Sequence, residues 1–199
     1  MTAHPARPQP SERERTGGFF VIAAMVILMW LVETIDVAAG DLDGAGIHPR
    51  DAEGLAGIAA SPFLHAGFGH LIGNSIPFLV LGMAIAVGGL IRTLAVVGIV
   101  AVVGGVGTWL TAPSETVVIG ASGLVFGFAT YLVARGAYSR LPWHIVGGLV
   151  VLAIYGSTLL VGLVPTPGVS WQGHLFGAVG GLVAARALHR ARRPAARRV

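Results

Sequence analysis

The 199-residue chain alternates between long apolar runs and short polar segments. A helix rises about 1.5 Å per residue, so about 20 apolar residues cross a hydrocarbon core of ~30 Å. Six runs are that long or nearly so, at residues 19–38, 68–91, 93–112, 118–134, 143–163 and 171–189. The pattern predicts an all-α, polytopic membrane protein with a six-transmembrane-helix bundle over residues 19–189.

The amino-acid composition is typical of a membrane protein. Hydrophobic residues make up 54% of the positions and charged residues 11%, whereas soluble proteins carry about 25% charged residues. Cysteine is absent, which excludes a disulfide framework, a thiolate zinc site and a cysteine nucleophile. We predict a disordered tail over residues 1–18 and a short basic tail over residues 190–199.

The positions of the arginines predict the orientation of the bundle. Twelve of the thirteen arginines fall on the side that six spans assign to both termini, and only Arg50 falls on the other side, among acidic residues. Basic residues accumulate in cytoplasmic loops, so we predict a multi-pass plasma-membrane protein with both termini in the cytoplasm. The net charge of +4 is then a topology signal, and nucleic acid is not a predicted partner.

Two segments of the chain allow a second interpretation. Arg13, Arg15, the apolar stretch 19–32 and the small residues 37–39 also fit a signal peptide with its cleavage site. We favour a first helix that is retained, because the rest of the chain is polytopic. The loop 39–67 is half apolar, yet its apolar stretches are too short to span, which favours an interfacial or re-entrant segment.

Four polar residues interrupt the apolar runs at similar depth. His70 and Asn74 lie in the second run, Ser122 in the fourth and His174 in the sixth. These runs enter the membrane from the same, outer side, and the four residues lie about 5–10 Å below the boundary. Polar groups in hydrocarbon cost free energy and often mark function. Three helices thus place a hydroxyl, two imidazoles and an amide at one level.

Each of these residues also has a purely structural interpretation. Ser122 could be a small residue that permits close helix packing, and His70 and Asn74 could hydrogen-bond across helices. His174 could be an interfacial histidine with a solvated tip. Glycines recur every four residues in two runs, at Gly123 and Gly127 and at Gly173, Gly177 and Gly181. We expect them to let the fourth and sixth helices approach closely enough for Ser122 to reach His174.

Three ordered motifs run through these segments. They are His65-Ala-Gly-Phe-Gly-His70-Leu-Ile-Gly-Asn74, Gly120-Ala-Ser122-Gly123 and His174-x2-Gly177-x3-Gly181. In order and spacing they resemble the helix-2, nucleophile and helix-6 motifs of the rhomboid intramembrane serine proteases. The resemblance extends over residues 19–189.

The resemblance implies a serine endopeptidase that cuts transmembrane segments of other membrane proteins near the outer face of the bilayer. Ser122 would be the nucleophile and His174 the general base and then acid. His70, Asn74 and the Ser122 backbone N–H would form the oxyanion hole. The supporting residues would be Gly120, Gly123, Phe126, Gly177 and Gly181. There are two departures from the family. Phe126 stands where many members have tyrosine, and residues 47–50 replace a Trp-Arg pair, which leaves the role of the first loop open.

Peptide hydrolysis by a serine nucleophile requires these residue types, independently of the resemblance. A serine hydroxyl is a poor nucleophile until a neighbouring base takes its proton, and histidine titrates in the useful range. A tetrahedral oxyanion needs positioned hydrogen-bond donors, which imidazole and amide groups supply. The fourth and sixth runs contain no acidic residue, so the sequence predicts a Ser122–His174 dyad without a third member. No cofactor or metal is predicted.

Other classes of protein remain open. A non-catalytic rhomboid-like protein would bind transmembrane segments without cutting them, although such relatives usually lack the serine or the histidine. A metal site built on His65, His70 and His174 is a different enzyme class, but the chain has no H-E-x-x-H motif. A transporter would show an inverted repeat of broken helices, which we do not find. The sequence predicts neither the identity of the substrate nor the oligomeric state.

Overall fold

The computed structural model describes residues 9–190, except for the side chain of Arg190. This part of the chain forms seven α-helices: α1 Glu12–Ala39, α2 Gly57–Ala60, α3 Phe68–Ala86, α4 Leu90–Thr111, α5 Ser122–Ser139, α6 Pro142–Val161 and α7 Trp171–Arg190. Helix α2 has four residues, and the other six have between 18 and 28. The six long helices follow the six apolar runs in order. Within the described residues the fold is all-α, with two isolated β-bridges.

Helix α1 begins at Glu12, whereas the apolar run that predicted it begins at residue 19. The Ser11 hydroxyl accepts the Glu14 N–H at 3.3 Å, and the Glu14 carboxylate accepts the Ser11 N–H at 2.8 Å. This capping box satisfies donors at the helix start, so polar residues join the helix. The predicted disordered tail is therefore helical over residues 12–18. The rest of the two predicted tails, at residues 1–8 and 191–199, lies outside the described residues.

Helix α5 begins later than its apolar run, at Ser122 and not at residue 118. Val118 is extended, and it exchanges two backbone hydrogen bonds of 2.9 and 3.0 Å with Ile47 of the first loop. β-Branched residues favour such extended pairing. The short paired segment therefore leads directly into the turn that precedes α5.

The loop between α1 and α3 is folded onto the bundle, in agreement with its apolar content. Besides α2 it contains 3₁₀ turns at Asp43–Ala45, Glu53–Leu55 and Ser61–Phe63. The Arg50 guanidinium donates to the carbonyls of Leu110 and Ala112, at 3.2 and 2.7 Å. The indole N–H of Trp109 donates to the carbonyl of Asp51 at 2.8 Å. These bonds fasten the loop to the end of α4.

Four helices of the described chain, α1, α3, α4 and α6, are long and apolar enough to cross a membrane. Helices α5 and α7 have 18 and 20 residues and are not apolar enough over an 18-residue stretch to be among these candidates. Helix α5 packs against α3, α4, α6 and α7, so most of its surface meets protein. A helix enclosed in this way needs no continuous apolar face toward lipid. The structure thus supports several membrane-spanning helices, while the count of six spans stays a prediction.

Helices α5 and α7 touch backbone to backbone, as their glycine rows predicted. A Cβ atom at Gly177 would collide with the carbonyl oxygen of Gly123, and one at Gly181 with that of Gly127. Only glycine fits at such contacts, which are typical of close helix pairs in membranes. This approach sets the distance between the two helices that carry Ser122 and His174.

Candidate active site

The turn before α5 presents Ser122 at a helix start. Gly120 has φ +106°, a conformation that disfavours side chains, and a Cβ there would lie 2.8 Å from His70 Nε2. The Gly120 N–H donates to the Ser61 carbonyl at 2.8 Å. The first hydrogen bond of the helix runs from Val125 N–H to Ala121. The amides of residues 122–124 therefore lie at the positive end of α5 without an intrahelical acceptor.

Ser122 and His174 are in direct contact across the α5–α7 interface. The Ser122 hydroxyl lies 2.9 Å from His174 Nε2, and His174 Nδ1 lies 2.7 Å from the carbonyl oxygen of Gly162. A carbonyl only accepts hydrogen bonds, so Nδ1 must carry the proton of the neutral imidazole. His174 Nε2 is then free to accept the Ser122 hydroxyl proton. This arrangement gives the imidazole the tautomer that a general base requires.

Phe126 fixes the plane of the His174 ring. The two rings are stacked, with centroids 4.1 Å apart and an interplanar angle of 6°. Gly162 lies close to both rings, because a Cβ there would collide with the Phe126 ring and lie 3.0 Å from His174 Nδ1. Glycine at this position therefore lets the carbonyl that holds His174 come close. The hydroxyl that many family members carry at position 126 is not part of this packing.

Two side-chain nitrogens from α3 point to the same place beside the Gly120 turn. The Ala66 N–H donates to His70 Nδ1 at 3.3 Å, which leaves Nε2 of the neutral ring as a donor. A Cβ at Gly120 would lie 2.8 Å from His70 Nε2 and 3.5 Å from Asn74 Nδ2. Asn74 is buried, and its Nδ2 has no hydrogen-bond partner within the described chain. A buried donor without a partner is costly, which is typical of a functional group.

A cavity of about 480 Å³ connects these groups. Ser122, His174, His70 and Asn74 all line it, together with residues of α4 and of the loop that precedes α7. The structure therefore brings the four polar residues of the sequence analysis into one cavity. Gly120 and Gly123 also line the cavity, and Gly177 and Gly181 of α7 lie at the adjoining helix contact.

Sequence reasoning missed three residues that hold this arrangement. Gly162 and Ser61 act through backbone carbonyls, which leave no mark in a sequence. His65 begins the first of the three motifs, but the sequence suggested no role for it except as a metal ligand. Its Nε2 accepts the Ala121 N–H at 3.4 Å, and its ring centroid lies 5.1 Å from that of His70. Burial lowers the pKa of His65, in the loop before α3, to about 4, which keeps the ring neutral. Its spacing of five residues from His70 was the available signal.

The described residues contain no group of three or more His, Asp or Glu side chains placed to hold a metal ion. His65 Nε2 faces the Ala121 amide and His174 Nε2 faces Ser122. The imidazoles thus converge on backbone and hydroxyl groups and do not share a central point. The arrangement fits acyl-transfer chemistry, in which a hydroxyl, a base and separate donors surround one carbonyl.

Comparison with known proteins gives the family. The Rhomboid domain model matches residues 52–191. An uncharacterized protein of Mycobacterium tuberculosis is 45% identical over 197 residues, covering 92% of this chain and 82% of the relative. One of Mycobacterium leprae is 43% identical over 183 residues, covering 87% and 72%. A Bacillus subtilis protein named "Putative rhomboid protease YdcA" is 30% identical over 122 residues, covering 60% of each chain. Since the family model matches more than half of its residues, the chain belongs to the rhomboid family.

Proposed function

We propose that this protein is an intramembrane serine endopeptidase that cuts transmembrane segments of other membrane proteins with a Ser122–His174 dyad. The observation that carries the proposal is the 2.9 Å hydrogen bond between the Ser122 hydroxyl and His174 Nε2, with Nδ1 held by a backbone carbonyl. This geometry prepares the hydroxyl for deprotonation. The carbonyl of Gly162 takes the orienting place that an aspartate has in a triad.

The reaction proceeds by acyl transfer. Ser122 Oγ forms a bond to the scissile carbonyl carbon while His174 Nε2 takes the hydroxyl proton. His174 returns this proton to the leaving amine as the C–N bond breaks, which leaves an ester on Ser122. Water then attacks the ester carbonyl carbon while His174 Nε2 takes a proton from the water. His174 returns this proton to Ser122 Oγ as the ester C–O bond breaks, which regenerates the Ser122 hydroxyl and releases the carboxylic acid product.

The negative charge on the carbonyl oxygen develops beside three donors. They are the Asn74 amide, His70 Nε2 and the Ser122 backbone N–H. Asn74 is the strongest candidate because its buried Nδ2 has no partner among residues 9–190. Donors that are fixed in place before the reaction stabilise the transition state without reorganisation. Glycine at position 120 is required for the turn to fit beside them.

The position of the cavity supports the proposed substrate class. The cavity lies among helices of a multi-pass protein, near the N-terminal ends of α3 and α5. Peptide carbonyls reach such a site when a transmembrane segment unwinds near the membrane surface. In the six-span topology with both termini in the cytoplasm, this surface is the outer face of the plasma membrane. The name of the Bacillus subtilis relative supports the same activity.

The test is cleavage of a model transmembrane substrate by the purified full-length protein in detergent. Wild type should cut the substrate and react covalently with a fluorophosphonate at Ser122, and EDTA should change neither result. Ser122→Ala should lose both activities. Ser139→Ala is the matched control, because Ser139 also contacts a histidine, and it should retain both. Full cleavage by Ser122→Ala would refute the proposal. Substrate binding without cleavage or labelling by wild type would identify a non-catalytic rhomboid-like protein.

A further inference from the structure

Arg92 is a buried cation in the first turn of α4, at the end of the bundle opposite to Ser122. The residue is 9% exposed. Its Nη1 donates to the hydroxyl of Tyr131 at 2.8 Å, and its Nε is buried without a partner in the described part of the chain. Tyr131 lies about 14 Å further along α5 than Ser122. The guanidinium is therefore far from the dyad, and its hydrogen-bond partner within residues 9–190 is a neutral group.

No carboxylate of the described residues pairs with this charge. All nine acidic residues lie within residues 9–190, and only Glu12 and Glu14 are at this end of the bundle. The Glu14 carboxylate accepts the N–H and the hydroxyl of Ser11, at 2.8 and 2.9 Å. Among the described side chains none forms an ion pair with Arg92. A buried charge without a counter-charge is costly, so the described residues leave a place for an anionic ligand.

The start of α4 attracts the same kind of ligand. The helix follows Gly89 without a side-chain cap, and its first hydrogen bond runs from Thr93 N–H to the Gly89 carbonyl at 3.0 Å. The amides of residues 90–92 therefore lack intrahelical acceptors at the positive end of the helix dipole. Arg92 folds back over this end, since a Cβ at Gly88 would lie 3.0 Å from its Nε.

The position of Arg92 near the membrane surface indicates where the anion comes from. It is the third residue of a candidate membrane span, within one turn of the end of the helix, where lipid headgroups lie. We propose that Arg92 and the first turn of α4 bind an anionic phosphate, supplied by the headgroup of an acidic phospholipid. The planar guanidinium suits a phosphate group, and a net negative lipid offsets the buried charge where a zwitterionic lipid does not. This site is independent of the proposed proteolysis.

The experiment measures the thermal stability of the delipidated full-length protein in a neutral detergent. Micelles doped with phosphatidylglycerol should raise Tm by roughly 5 °C, whereas phosphatidylcholine should not. Arg92→Gln should abolish this rise. Arg186→Gln, which removes an exposed arginine of α7 at the same end, should preserve it. An equal rise with phosphatidylcholine, a rise retained in Arg92→Gln, or one lost equally in Arg186→Gln would each overturn the proposal.

Two further arms complete the test. Inorganic phosphate at a matched concentration should have no effect, and if it reproduces the Arg92-dependent rise, the lipid assignment is overturned in favour of free phosphate. If Arg92→Gln does not fold, Tyr131→Phe replaces it. That variant keeps the guanidinium and removes its hydroxyl partner, so the rise with phosphatidylglycerol must persist or grow. Its loss would show that the lipid acts elsewhere.

Discussion

Two serine–histidine pairs lie at opposite ends of α5. Ser122 begins the helix and lies 2.9 Å from His174 of α7. Ser139 ends the helix and lies 2.8 Å from His144 of α6. By distance alone the two pairs are equivalent, yet we assign catalysis only to the first. The difference between the two pairs shows which features of a site indicate catalysis.

The surroundings of the two pairs differ in kind. His174 uses Nε2 toward the serine and has Nδ1 fixed by the Gly162 carbonyl, whereas His144 uses Nδ1 toward Ser139. The Ser139 hydroxyl also accepts the Leu141 N–H at 3.4 Å, so it closes the turn between α5 and α6. The cavity lies at Ser122, and so does the Asn74 donor, which has no partner within residues 9–190. A catalytic serine–histidine pair is therefore recognised by an oriented base and by available hydrogen-bond donors, and a short distance between the two side chains is not sufficient.

Removing each histidine should give the largest contrast between the pairs. His174→Ala should lower kcat/KM for a transmembrane substrate by about 10⁴-fold or more, because the nucleophile loses its base. His144→Ala should change it by less than about threefold, as expected for a residue outside the site. The measurement is initial cleavage rates in detergent, with Tm recorded for both variants. Comparable losses in two folded variants would end the distinction between the pairs.

The donor Asn74 gives the next contrast, because it separates function from stability. Asn74→Ala should lower kcat by about 10²–10³-fold with little change in KM. Its Nδ2 has no partner among the described residues, so Tm should stay equal or rise when it is removed.

Ser75 is the matched control on the same helix. It accepts the Trp30 indole N–H at 3.1 Å and donates to the Leu71 carbonyl. Ser75→Ala should cost about 1 kcal/mol of stability and leave kcat nearly unchanged. A lower Tm in Asn74→Ala together with an unchanged kcat would make Asn74 a structural residue.

The sequence was enough to predict that Ser122, His174, His70 and Asn74 lie together, because polar side chains at similar depth in apolar helices are visible in the sequence. It was not enough to predict what orients His174, since a backbone carbonyl at Gly162 has no side-chain signature. The same limit hid the Ser61 carbonyl that holds the Gly120 turn. For His65 the sequence did contain a signal, its spacing of five residues from His70. We interpreted it as a possible metal ligand, because an imidazole that accepts a backbone N–H is a less familiar arrangement.

The predicted starts of two helices were wrong where local hydrogen bonds, and not the apolar pattern, determine the start. The capping box at Ser11 extends α1 into a polar segment, and the pairing of Val118 with Ile47 delays the start of α5. The close contact of α5 with α7 was predictable because glycine rows have only one common use in membrane helices.

The glycine contact itself gives a third, smaller contrast between the pairs. Gly177→Ala places a methyl group against the Gly123 carbonyl and should cost about 1–3 kcal/mol of stability. By separating α5 from α7 it should also lower kcat/KM about tenfold or more. Gly147→Ala on α6, where a Cβ meets nothing within 4 Å, should be neutral or slightly stabilising. Equal behaviour of the two variants would show that the α5–α7 spacing does not control the dyad.

The smallest expected effect concerns the third imidazole near Ser122, which the Ser139 pair lacks. Burial lowers the pKa of His65 from 6.5 to about 4. Between these values the unfolded chain binds a proton at His65 and the folded protein does not, so stability rises with pH in this window and is lost as pH falls. Lowering the pH from 7 to 4 should therefore cost wild type about 1–3 kcal/mol through this group. His65→Gln, whose side-chain oxygen can still accept the Ala121 N–H, should show a shallower fall of Tm over the same range. The comparison of the two slopes cancels the other titrating groups, and identical slopes would mean that His65 is solvated in the folded protein and does not hold the turn before Ser122.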